Sequence, residues 1–120
     1  AKAISEVIPD MKGRLDGVAV RVPIPVGSLV DLVADLETEV SVESVNSVMQ
    51  KAADGPMKGV LQYMEEPIVS VDIVGNPHSS ILDALSTMVT GGNMVKVFSW
   101  YDNEWGFSCR MIDMLKKMAA

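Results

Sequence analysis

Apolar and polar positions divide the chain into pieces of distinct period. Residues 1 to 8 read as the end of a helix, stopped by Pro9 and a turn around Gly13. From Leu15 the period becomes two: Val18, Val20 and Val22 point one way, Gly17, Ala19 and Arg21 the other, until Pro23 and Pro25 end the run. A second alternation starts at Ser28, with Val30, Leu32, Ala34 and Leu36 opposite Leu29, Asp31, Val33 and Asp35. Two alternating runs joined by a short Pro/Gly turn predict a hairpin.

Helical spacing follows. Ser41 is placed to cap a helix whose first turn holds Glu43 and whose stripe is Val42, Val45, Val48, Met49 and Ala52, with Gly55-Pro56 as its stop. Short strands are predicted near Val60–Met64 and Ile68–Val74, then a turn through Gly75-Asn76-Pro77 and an extended run near Ser80–Met88. Gly91-Gly92-Asn93 turns into a strand over Met94–Tyr101, apolar on both faces and so expected inside the sheet. A last helix runs from Asn103 or Glu104 to Met118. This order predicts an α+β fold, a mixed, largely antiparallel sheet with helices covering one face, and not a Rossmann βαβ series. The last helix carries two apolar stripes: Trp105, Cys109, Ile112 and Leu115, and Phe107, Met111, Met114 and Met118. Two stripes call for two partners, one of them the domain's own sheet and the other a further domain or a second copy.

At 120 residues and 12.9 kDa the chain is one domain or a piece of one, and its opening without Met, inside an apparent helix, points to a cut chain. A hydrophobic fraction of 48% and mean hydropathy of +0.24 mark a globular protein, yet no apolar run approaches the ~20 residues of a membrane span. Net charge is -6, and the 10 Lys and Arg are scattered, which makes nucleic acid a poor partner. The single cysteine, Cys109, forms no internal disulfide, so a reducing cytoplasm is the expected compartment. The nine methionines read as adaptable core filler, since no His or Cys clusters accompany them as metal ligands.

The catalytic inventory is thin. His78 lies in the turn "GNPHSS" and Cys109 mid-helix on an apolar stripe; a turn histidine and a buried thiol are favoured over a Cys–His dyad. Two residues stand out. Arg21 sits among small residues on its side of the alternating run, where its fork requires a carboxylate, an anion or solvent. Asn103, where strand becomes helix, offers a donor and an acceptor suited to an amide, or alternatively a helix cap.

At these residues the chain resembles the C-terminal part of phosphorylating glyceraldehyde-3-phosphate dehydrogenase. "AKAISEVIPDMKGRLDGVAVRVPIPVGSLVDLV", "GPMKGVLQY", "NPHSSILDA" and "VKVFSWYDNEWGFSCRMIDM" carry the resemblance along the whole length, and erythrose-4-phosphate dehydrogenase is the nearest rival. The family oxidises an aldehyde phosphate with NAD and inorganic phosphate through a cysteine thioester, usually as a homotetramer. The resemblance makes Arg21 the phosphate-binding arginine. It makes Asn103 the residue that hydrogen-bonds the nicotinamide carboxamide and fixes the ring face receiving hydride. Phe107 stands where the family usually has Tyr, and Cys109 is not at the nucleophile position. By the same resemblance, residues 1 to 120 are a partial catalytic domain. The nucleophilic cysteine in its "SCTTN"-like motif, the base histidine, the Thr-Gly pair of the phosphate site and the Rossmann NAD-binding domain all precede Ala1. No catalytic residue and no metal ligand is expected here, and the chain alone is expected to be inactive and to bind NAD negligibly; as in the family, a homo-oligomer is expected. A non-catalytic folding or assembly module derived from this domain is the alternative.

Overall fold

A computed structural model describes residues 3 to 120. Its elements are α1 (Ile4–Val7), β1 (Ser28–Asp35), α2 (Val42–Asp54), β2 (Leu61–Met64), β3 (Ser80–Thr90), β4 (Met94–Tyr101) and α3 (Asn103–Met118). The strands form one sheet in the order β1-β4-β3-β2. β4 pairs antiparallel with both β1 and β3, and β2 pairs parallel with β3. The architecture is the expected α+β mixed sheet, with α2 on one face.

α2 forms where its caps dictate. The Ser41 hydroxyl accepts the Ser44 N–H at 3.2 Å and the Ser44 hydroxyl accepts the Ser41 N–H at 2.9 Å, a reciprocal box that satisfies two backbone donors. The helix lays Met49, Ala52 and the buried Ala53 on Leu61 and Leu82, with Tyr63 and Val97 beside them. Val48, expected in this stripe, is 64% exposed, because the seam turns toward Ala53. Asn46 ties the helix to an irregularity in β3 between Asp83 and Met88: it donates to the Ala84 carbonyl (3.0 Å) and accepts from the Thr87 hydroxyl (2.7 Å). β4 lies inside the sheet as its doubly apolar pattern requires.

Three expectations fail. Leu15–Val22 forms no strand and pairs with nothing among the described residues, leaving Val18, Val20 and Val22 91%, 77% and 57% exposed. β1 therefore takes β4 as its neighbour and there is no hairpin at Pro23–Gly27. The β-branched run Ile68–Val74 forms a 3-10 turn over Ser70–Ile73, because the Asp72 carboxylate accepts the Val69 N–H at 2.8 Å and bends the chain. Finally, neither stripe of α3 lies on the sheet. Trp105, Ile112 and Leu115 are as exposed as Phe107, Met111 and Met114, and Gly106 is the one buried residue of the helix.

Candidate functional site

The junction of β4 with α3 is built by a carboxylate. Asp102 has extended backbone and caps α3, accepting the Trp105 N–H at 3.0 Å, while its other oxygen accepts the Gly75 N–H at 2.8 Å. These backbone donors, Gly75 first, hold its carboxyl below the usual carboxylate range despite burial. One buried side chain thus starts the helix and fastens it to the Gly75–Ser79 loop. Gly106 seals the same contact: a Cβ there would lie 3.1 Å from the His78 carbonyl oxygen.

Asn103 is therefore not the cap. It is the first residue of α3, exposed, and its side chain turns to β1. The sheet register sets Ser28 opposite Tyr101, two residues before Asn103, so the serine hydroxyl stands at the edge of the amide. Asn103 Nδ2 donates to Ser28 Oγ at 2.8 Å, and Ser28 Oγ lies 3.0 Å from Asn103 Oδ1. Gly27, the residue before Ser28, packs closely on the Ser70–Ile73 turn. Its φ of +98° is a left-handed conformation, and a Cβ would meet Ile73 Cδ1 at 3.0 Å.

Arg21 is exposed on the unpaired segment, and the described ion pairs, Lys96–Asp31 and Arg110–Asp113, do not include it. No hydrogen bond or ion pair links it to Asn103 among the described residues. Its expected seat on a strand face is not formed, because the strand is not.

Around His78 a second polar cluster gathers. Asn76 Nδ2 donates to Gln62, which leaves Asn76 Oδ1 to accept both the His78 N–H (3.0 Å) and the ring Nδ1–H (2.9 Å). Burial, then the nearby Arg110 guanidinium, push the imidazole below its ordinary pKa, favouring the neutral ring. Arg110 itself donates to the Gly59 carbonyl (2.9 Å) and lies 3.4 Å from the Ser79 hydroxyl. His78, Lys58, Tyr63, Gln50 and Asp54 line a cleft of about 230 Å³. No hydrogen bond joins half-buried Cys109 to His78, so the dyad is not assembled. Among the described residues no group of three His, Cys, Asp or Glu could hold a metal ion, and no helix is long and apolar enough to cross a membrane.

These side chains fit part of a dinucleotide only. Asn103 can meet a carboxamide, but no glycine-rich strand–helix turn able to take a pyrophosphate occurs among the described residues. Sequence reasoning found Asn103 from its junction. It missed Ser28 and Asp102, although an Asp three residues before Trp105 at a strand end is a capping signal.

The family model "Glyceraldehyde 3-phosphate dehydrogenase, C-terminal domain" matches residues 1–103. The chain is 59% identical over its full length to glyceraldehyde-3-phosphate dehydrogenase of Priestia megaterium, and spans 36% of that protein. It is 56% identical over its full length to the Geobacillus stearothermophilus enzyme, again spanning 36%, and 56% identical over 115 residues to that of Mycolicibacterium smegmatis, spanning 34%. The chain spans about a third of the length of these relatives. On the strength of that match, the chain belongs to the glyceraldehyde 3-phosphate dehydrogenase C-terminal domain family.

Proposed function

We propose that this chain supplies the positioning half of an NAD-dependent, phosphorylating glyceraldehyde-3-phosphate dehydrogenase of the glycolytic cytoplasm. In this reading Asn103 orients the nicotinamide carboxamide and Arg21 binds the phosphate groups of glyceraldehyde 3-phosphate and inorganic phosphate. When bound, NAD supplies the hydride acceptor. The protein's part in these residues is to hold a carboxamide and an anion in place. The nucleophilic cysteine and the base belong to polypeptide outside these 120 residues, and positioning without them gives no turnover.

The observation that carries the reading is Asn103 itself. It is exposed, released from capping by Asp102, and held by Ser28 with hydrogen-bonding capacity to spare. Two uncovered features support a larger catalytic unit. Among the described residues, the alternating segment Leu15–Val22 keeps the pattern of a strand with no partner, and the α3 groove of Phe107, Met111, Met114, Leu115 and Met118 has no cover. In this reading the missing N-terminal polypeptide and other copies of the chain complete them.

The isolated chain is expected to show no aldehyde-phosphate-dependent NAD reduction, and the intact protein to show it, with glyceraldehyde 3-phosphate preferred over erythrose 4-phosphate. In the intact protein Arg21→Ala should raise KM for phosphate and aldehyde phosphate about 10- to 100-fold, the range of a lost charged hydrogen bond, with NAD affinity unchanged. An Arg21→Ala enzyme with normal phosphate dependence overturns the assignment of Arg21. Dehydrogenase activity of the isolated chain that vanishes in Cys109→Ser overturns the division of labour.

A further inference from the structure

The geometry points to Ser28 as a positioning residue for Asn103, fixing the plane in which its amide meets a ligand carboxamide; this rests on the reading of Asn103 proposed above. An exposed asparagine in the first turn of a helix has little to hold it, and its usual occupation, the cap, is taken by Asp102. Ser28 replaces that restraint. Its oxygen lies 2.8 Å from Nδ2 and 3.0 Å from Oδ1, at the notch between the two amide termini. One hydroxyl can there accept from the NH₂ and donate to the carbonyl.

Occupying the notch has a chemical consequence. The edge through which an amide makes two parallel hydrogen bonds is filled by the serine. What remains is one N–H and one carbonyl lone pair, directed away from each other. A ligand carboxamide thus meets Asn103 at one point only, in a plane the serine has set. The restraint is itself anchored. Ser28 opens β1 opposite Tyr101 in the register, and Gly27, in a conformation costly for other residues, fixes the entry of the strand. The spacing from Tyr101 to Asn103 is then bridged by the buried Asp102.

The test uses the intact protein, with the NAD dissociation constant read by calorimetry in the absence of substrate. Ser28→Ala and Asn103→Ala should each weaken NAD about three- to tenfold, the range of one neutral hydrogen bond. The double variant should be no weaker than Asn103→Ala alone, because the serine acts only through the asparagine. Ser28→Thr, which retains the hydroxyl, should keep wild-type affinity. Deuterium transfer should lose facial selectivity in both alanine variants, with unfolding midpoints reported alongside. Ser28→Ala with wild-type NAD affinity beside a weakened Asn103→Ala overturns the role of Ser28 and leaves that of Asn103 standing. Full additivity in the double variant also overturns it. An Asn103→Ala protein that binds NAD normally overturns the reading of Asn103, and the role of Ser28 with it.

Discussion

Asp102 and Asn103 are neighbours in sequence with opposite duties, and the difference lies in burial. Asp102 is buried and spends each carboxylate oxygen on a backbone N–H, whereas Asn103 is exposed and keeps hydrogen-bonding capacity. Asp102→Asn leaves an amide NH₂ facing either Gly75 N–H or Trp105 N–H, so one buried donor loses its acceptor. The expected cost is about 1–3 kcal/mol in the intact protein, measured by denaturant unfolding at neutral pH. The pH dependence has a definite sign. The folded carboxyl titrates below its unfolded value of about 3.9, so its contribution is fully present above that pH and is lost as pH falls toward the folded value. The gap between wild type and Asp102→Asn should therefore narrow in acid below about pH 4. A gap that stays constant down to pH 2 would mean the carboxylate charge contributes nothing.

The elements show what pattern can and cannot foretell. α2 was legible because capping chemistry and periodicity agree at Ser41, and β4 because apolar residues on both faces leave a strand no place but the interior. Leu15–Val22 misled for a physical reason: alternation records the two faces of a strand and says nothing of the neighbour that must supply its hydrogen bonds. Ile68–Val74 misled because one local bond, from Val69 N–H to the Asp72 carboxylate, outweighs the β-branched preference of the run. At the site, Asn103 was legible from its place at the junction. Ser28 was not, since it comes to Asn103 through a register set 75 residues away. α3 depends on a contact the sequence does hint at, a glycine inside a helix. Gly106→Ala gains up to about 1 kcal/mol of helix propensity but drives a Cβ to 3.1 Å from the His78 carbonyl oxygen. That carbonyl cannot retreat easily, because Asp102 holds Gly75 and the Val60 carbonyl accepts the Ser79 N–H at 2.9 Å. Overpacking of about 1–3 kcal/mol should prevail, and the intact protein should melt lower. A raised midpoint would show that the loop yields.

At the scale of the molecule, the four strands and α2 enclose a small core, and the fully buried side chains of any size are Ile73, Ile81 and Leu82. Against that stands a long apolar exposure. β1 shows Val30 and Val33 at 47% and 54%, and α3 shows Phe107, Met114 and Met118 at 66%, 58% and 79%. The α3 groove, about 280 Å³, is lined almost wholly by apolar side chains with Arg110 at its edge. Surfaces of this kind are contact surfaces, so an isolated chain should aggregate and bind an apolar dye, while the intact protein should form a defined assembly and bind no dye. Met114→Glu separates the two settings. In the isolated chain the new carboxylate faces water, costs the fold little and should reduce dye binding. In the intact protein it is forced beneath whatever covers α3, and the lost apolar burial with an unpaired charge should cost at least about 2 kcal/mol. Light scattering, dye fluorescence and unfolding midpoints of both forms decide the matter. An intact protein indifferent to Met114→Glu would mean that α3 stays uncovered there, and an isolated wild-type chain that forms a dye-silent dimer would favour the self-sufficient assembly module over the dependent fragment.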